Sequence, residues 1–406
     1  MNQATPRCLH QLSFYSLVAF AALALGCQPV ATRQGVAPDL GPALQALVDG
    51  AVEDNEAVHG AALHVDTPAL DLVWEGAAGE ADPAAGVSMT PATPFQIASN
   101  TKTFISASTL RLWEDGRLGL DDPIAGHIRD DSVEILRSDG YDLEELTIRH
   151  LLTHTGGLYD YAMSERYSER IIDDPTHRWT RTEQLEAAVE WGDPLAPPGV
   201  VYSYCDTGYI LLGEILELAT GRSMPDAVRE LVGYEGLGLG STWFETLEPR
   251  PAGVLDPAHP FWGEEDGTAF DLSIDLYGGG GLLSTVGDLA HFFRALFKGG
   301  IYTDPETADT MLTTVEIAPP EEGGEESRLP HGAYRMGVWV VEVEGYTSYR
   351  HTGFWGTSAT YVPELDLTIT ATVNQNQARP VFEELVSGAV RVVADAIEAA
   401  SSAEEG

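Results

Sequence analysis

Lysine is nearly missing from this chain of 406 residues. The sequence holds 22 basic residues, of which only Lys102 and Lys298 are lysine, against 63 acidic residues and a formal net charge of −41. A surface so short of positive charge repels nucleic acid phosphate and anionic lipid, which excludes both as partners. The acid excess itself reads as a solubilising face. Cysteine is almost as scarce, with Cys8, Cys27 and Cys205 the whole complement. No Gly-x-Ser-x-Gly occurs, which disfavours an α/β-hydrolase. Neither a Gly-x-x-x-x-Gly-Lys nor a Rossmann glycine pattern is present, which disfavours a phosphate-binding enzyme. There is no internal repeat and no long low-complexity segment.

No apolar run is long enough to cross a bilayer. The longest, Leu12 to Leu25, is interrupted only by Ser13 and Ser16 and follows a single basic residue, Arg7. It is too short for a span and fits the apolar region of a signal peptide. It ends Ala24-Leu25-Gly26-Cys27, which resembles a bacterial lipoprotein cleavage site, with Ala24 where leucine is usual. Residues 1–26 are therefore read as a signal peptide and 27–39 as a tether. The expectation is an exported chain of the cell envelope, periplasmic or anchored to the membrane through lipid on Cys27. With the leader removed and Cys27 lipidated, no internal disulfide is available, so the domain must be stable through its core.

What is present is a core. The hydrophobic fraction is 44 %, enough to exclude disorder across the chain. Apolar positions at Leu40, Leu44, Leu47, Val48 and Val52 predict a helix over 40–58. Gly60–Val65 and Leu70–Ala77 read as strands. Helices are predicted from Thr101 to about Leu118, over 182–192, from Ile210 to Leu218 and from Ser284 to Phe297. The stretch 250–281, rich in Pro, Gly and Asp, reads as loops over a cleft, and Glu321 to Glu326 as an exposed acidic loop. From Tyr334 the period turns strand-like, giving Met336–Val343, Tyr346–Thr352, Thr357–Val362 and Leu367–Val373, then an amphipathic helix over 380–399. Strands at both ends of the chain with helices between them predict an α+β fold. Its antiparallel sheet is flanked by the N- and C-terminal helices, and a helical subdomain is inserted.

The chemistry centres on Ser99-Asn100-Thr101-Lys102. Residues three apart on a helix share a face, so the Ser99 hydroxyl and the Lys102 amine come within reach of each other. An amine that has lost its proton can activate a serine, provided its pKa falls from about 10.4. A serine at a helix N-terminus also lies beside free N–H groups, which stabilise an oxyanion. His150 and His154, four apart, would suit a metal pair. No third ligand stands at a recognised spacing, so they read as a structural turn whose short helix Thr147 caps and Gly156-Gly157 stops. Neither metal nor cofactor is expected. Cys205 reads as a small packing residue.

Tyr204-Cys205-Asp206 and His351-Thr352-Gly353 complete a constellation with Ser99 and Lys102. In this order and spacing they resemble the serine beta-lactamase and penicillin-binding-protein superfamily. The likeness is to the class C beta-lactamase and D-alanyl-D-alanine carboxypeptidase/esterase branch, which uses Ser-x-x-Lys, Tyr-x-Asn and Lys- or His-x-Gly. The resemblance covers residues 40–395. It implies a beta-lactamase/transpeptidase-like fold over 40–398, with the helical insert at about 104–290. It implies an acyl-enzyme at Ser99 on an amide or ester, with Lys102 and Tyr204 sharing the proton work. The backbone N–H groups of Ser99 and Phe354 would form the oxyanion hole. His351 and Thr352 would meet a substrate carboxylate or hold the proton network of Tyr204, while Asp206, Thr352, Gly353 and Phe354 border the substrate.

Two departures matter. Asp206 stands where the pattern has Asn; an ionised carboxylate cannot donate a hydrogen bond, and beside Lys102 it raises the amine pKa. This shifts the base role toward Tyr204 and the substrate away from peptides, toward esters or amine-bearing molecules. His351 stands in place of Lys, which points away from true beta-lactamase activity and toward carboxypeptidase, D-aminopeptidase or esterase chemistry on a small-molecule or peptide substrate. Asp206 also favours a second reading, a catalytically weak protein that binds peptidoglycan peptides or a partner through the same cleft.

Overall fold

The computed structural model describes residues 39–315, 317 and 333–405. The expected leader, Cys27 and the acidic run at 321–326 lie outside them. One seven-stranded sheet organises the rest. Its strands in chain order are β1 (Gly60–Thr67), β2 (Leu72–Asp82), β3 (Val87–Ser88), β4 (Trp339–Val343), β5 (Tyr346–Gly353), β6 (Thr357–Val362) and β7 (Leu367–Thr372). They lie in the order β3-β2-β1-β7-β6-β5-β4, and every neighbouring pair is antiparallel. The two ends of the chain meet in the middle, where Ala62 of β1 faces Thr372 of β7.

Both faces of this sheet are covered. The N-terminal helix Gly41–Glu53 and the C-terminal helix Arg379–Glu405 lie on one face, where Leu44, Val48, Leu385, Val386 and Val390 pack on Val65, Leu367 and Ile369. Helix Val286–Lys298 covers the other face, against β1, β6 and β7. Burial on both sides explains why β6 and β7 carry no exposed residue and read as unbroken runs rather than alternating ones. The helical insert stands between β3 and β4, and its centre is helix Thr101–Glu114. Two hydroxyls of this buried helix are satisfied within it: Ser108 donates to Phe104 O and Thr109 to Ile105 O, each at 2.9 Å. The α+β architecture predicted from the sequence is the one observed.

The differences are at element ends and in helices the sequence reading did not give, among them Asp130–Ser138, Glu165–Asp173 and Pro305–Met311. The first helix stops at Glu53, where the Asn55 amide takes the Ala51 carbonyl at 3.0 Å. Helix Thr101–Glu114 ends short of Leu118, at a turn through Gly116 in the left-handed region. β4 begins at Trp339 rather than Met336, because Gly337 turns the chain at φ +87° and Tyr334 bridges back to Trp339. The helix expected from Ile210 begins at Asp206, for a reason that lies in the site itself. Helix Met224–Val232 was not expected, although Ser223 caps it by accepting the Asp226 N–H at 3.3 Å.

Candidate active site

Ser99 follows a short strand, Phe95–Gln96, whose partner carries Leu283 and Ser284. It lies in the single turn Ala98–Asn100 that opens the helix Thr101–Glu114. Ala98 takes φ +45°, a left-handed conformation that costs an L-residue roughly 1–2 kcal/mol. The turn is held from both sides: the Asn100 amide donates to Ile97 O and to Thr357 Oγ1, each at 2.9 Å. The backbone N–H groups of Ser99 and Phe354 donate to no group among the described residues.

Lys102 is fully buried and each of its N–H directions is used. Nζ donates to Ser99 Oγ at 3.1 Å and to Gly279 O at 2.6 Å, and it pairs with Asp206 Oδ1 at 2.5 Å. Burial alone would lower its pKa. The charge of Asp206, followed by Tyr204 and Asp275, overrides burial and holds the ammonium well above the ordinary range. The Tyr204 ring lies 4.9 Å from Nζ, and Ser99 and Lys102 both stand near enough to its hydroxyl to favour the ionised phenol. Burial pushes this phenol well up as well, against the pull of the lysine charge.

His154 fixes the segment that carries Tyr204. Its carbonyl accepts the Ser203 N–H at 2.9 Å and its ring Nδ1 accepts the Cys205 N–H at 3.1 Å. Burial, then the charge of Lys102, keeps the ring neutral, far below the usual histidine range. His150 exchanges hydrogen bonds with Thr147 in a capping box. Both histidines are thus spent on the turn. The buried Asp160 supplies what the sequence around Asp206 lacks: Cys205 makes no capping bond, and Asp160 Oδ1 instead accepts the Asp206 N–H at 3.2 Å from 46 positions earlier. That is why the helix starts four residues before its apolar pattern does.

On β5, the buried His351 donates from Nδ1 to Thr352 O at 2.9 Å, so its Nε2 accepts, from the Tyr334 hydroxyl at 3.3 Å. Burial, then Lys102, drives its pKa down to about 3. It stands as a neutral ring, with its centroid 6.4 Å from that of Tyr204. Tyr334 continues to Tyr209 at 3.3 Å, and Tyr209 to Ser106 at 2.9 Å. Gly353 brings β5 against the nucleophile turn; a Cβ there would stand 2.3 Å from Ile97 O. Ser99, Tyr204, His351, Thr352, Gly353 and Phe354 all line one cavity of about 820 Å³. Asp206 does not line it, being turned to Lys102.

The model of the family described as Beta-lactamase matches residues 44–388. This chain belongs to the beta-lactamase family. Among its relatives is a putative D-alanyl-D-alanine carboxypeptidase of Escherichia coli K12, 27 % identical over 317 residues, which are 71 % of this chain and 70 % of that protein. Among solved structures, D-amino acid amidase from Ochrobactrum anthropi SV3 superposes with a TM-score of 0.72 at 24 % identity, covering 88 % of this chain and 99 % of the amidase. A D-stereospecific amidohydrolase from Streptomyces gives 0.70 at 25 %, covering 86 % and 99 %. The chain is accordingly a serine hydrolase of the beta-lactamase fold. Sequence reasoning missed Asp160, Tyr209, Asp275 and Tyr334. Each is an ordinary polar residue whose partners lie far away in the chain, with no local signal to mark it.

Proposed function

We propose that this chain is an exported hydrolase that forms an acyl-enzyme at Ser99 on an amide or ester. The reading covers D-alanyl-D-alanine carboxypeptidase, D-aminopeptidase and esterase types, with membrane anchoring through lipid on Cys27. The observation that carries it is the 3.1 Å contact of Lys102 Nζ with Ser99 Oγ, under the hydroxyl of Tyr204 and at the edge of the cavity. Ser99 attacks the carbonyl carbon, and the new oxyanion meets the N–H groups of residues 99 and 354. The serine proton passes to the Tyr204 oxygen as the phenol proton moves to Lys102 and a lysine proton to Asp206. The net acceptor is then the carboxylate of Asp206, in contact with Lys102, since an ammonium and a neutral phenol cannot serve alone. The same route reversed protonates the leaving group, and water repeats the attack on the acyl-enzyme. His351, neutral and tied to Tyr334, shapes the cavity wall and carries no charge to a substrate carboxylate.

A fluorophosphonate or fluorescent penicillin tests the reading by mass spectrometry of the labelled peptide. The adduct is expected on Ser99, and Ser99→Ala is expected to lose both the adduct and more than about 10⁴-fold in kcat/KM on short p-nitrophenyl esters. Asp206 in the place of Asn favours a second reading, a binding protein with the same cleft. Failure of both probes on folded protein would establish that reading instead.

A further inference from the structure

We infer that the cavity beside Ser99 holds an apolar acyl subsite, so that the group left on Ser99 after the first half-reaction is a bulky aliphatic or aromatic one. This deepens the acyl-enzyme reading and rests on it. Among the described residues, the large apolar side chains exposed to solvent include one aromatic, Phe354 at 48 % exposure, and one methionine, Met163 at 79 %. Both line the cavity that Ser99 opens into. Scattered exposed apolar residues need no explanation, but two at the mouth of one cavity mark a ligand surface.

Phe354 is braced rather than loose. Trp262 meets its ring edge-on with centroids 5.4 Å apart, and Trp355 does so at 4.9 Å. Tyr202 and Trp339, 6.1 Å apart and also edge to face, form another part of the lining, and Val341 and Phe382 extend it. Met163 is an unbranched, polarisable side chain that adapts to the shape of what it covers. Both arginines of the lining pair with Glu383, Arg350 at 2.8 Å and Arg379 at 3.4 Å, while Nε and Nη2 of Arg350 are buried without a hydrogen-bond partner. The acyl group is the part of the substrate that becomes bonded to Ser99 in the first half-reaction and waits there for water, and a wall continuous with Ser99 suits it.

Boronic acids test the subsite without requiring turnover. Ser99 Oγ gives an electron pair to boron, an O–B bond forms, the hydroxyl proton leaves to solvent, and no bond at boron breaks. Titration calorimetry of the whole protein with methyl-, butyl- and 2-phenylethylboronic acid is expected to show affinity rising at least about tenfold across the series. Met163→Ser is expected to reduce that gradient about threefold or more, and Phe354→Ala to reduce it independently. Methylboronic acid binding as tightly as the larger two, or a gradient unchanged in both variants, would overturn the subsite while leaving the acyl-enzyme reading standing. Failure of every boronic acid, together with failure of the fluorophosphonate, would overturn both.

Discussion

At the scale of single residues, the site is a balance of buried charge around Lys102. The balance turns on Asp206, whose carboxylate pairs with the ammonium at 2.5 Å. Replacing it by Asn removes the largest influence that raises the lysine pKa and leaves burial, which lowers it. Asp206→Asn is expected to give kcat/KM a limb, rising with pH as Lys102 loses its proton, in a range where the parent enzyme is flat. It is also expected to reorder a panel of esters and D-amino acid amides. An unchanged profile and ranking would remove Asp206 from the proton route. Asp160 behaves oppositely: burial, then the charge of Asp206, pushes its pKa up to about 8. The folded protein therefore keeps Asp160 protonated where the unfolded chain has ionised it, and stability drains away as pH rises from about 4 to about 8. Asp160→Asn retains an acceptor for the Asp206 and Ala162 N–H groups and escapes the drain. Urea unfolding should show its advantage absent near pH 4, growing by up to about 1.4 kcal/mol per pH unit, and constant above about pH 8. An advantage that does not change with pH would refute this account. Ser99 and Lys102 were legible in the sequence by their spacing of three, and Tyr204 and His351 by the resemblance of their stretches to known motifs. Asp160 and Tyr334 were not, because a carboxyl that caps a helix 46 positions away, or a phenol that fixes an imidazole on another strand, has no signature in its own neighbourhood.

At the scale of elements, catalysis depends on how closely β5 approaches the turn before helix Thr101–Glu114. Gly353 sets that distance, since a Cβ would lie 2.3 Å from both Ile97 O and Thr357 Oγ1. Neither is the far end of a flexible side chain. Gly353→Ala is expected to cost about 1–3 kcal/mol of stability, read from denaturant midpoints. Activity should fall further than stability predicts, because the displaced carbonyl belongs to the turn that holds Ser99; a variant with normal kcat/KM would show that the approach is not critical. Six of the seven strands of the sheet were readable from their composition and the turns that bound them; β3, two residues long, was not. Element ends were not readable either. β4 starts after a glycine turn set by a bridge to Trp339, and the helix at Asp206 starts where Asp160 reaches it. Helix Met224–Val232 is the converse case, missed although its signals were in plain view: Ser223 caps it, and Met224, Ala227, Val228, Leu231 and Val232 recur at helical spacing.

At the scale of the whole molecule, the charge of −41 is what folding must overcome. The central pairing of β1 with β7 ties both ends of the chain into one sheet, so the core cannot relieve the repulsion by opening at one edge. At 0.01 M salt the screening length is about 30 Å and acidic residues on opposite faces repel one another; at 0.1 M it is about 10 Å, and only neighbours do. The surface ion pairs, such as Arg137 with Glu144 and Arg222 with Glu230, weaken with salt too, but exposed pairs are worth only about 0–1 kcal/mol each. Repulsion among the uncompensated acids is the larger effect. The unfolding temperature is therefore expected to climb as sodium chloride is raised from about 0.01 to about 0.5 M, with most of the gain below about 0.1 M. Lowering the pH toward the isoelectric point of about 4.3 should flatten this dependence, because protonated carboxyls no longer repel. A melting temperature that falls with salt at neutral pH would mean that the ion pairs outweigh the net charge, and that the acidic surface costs the fold little.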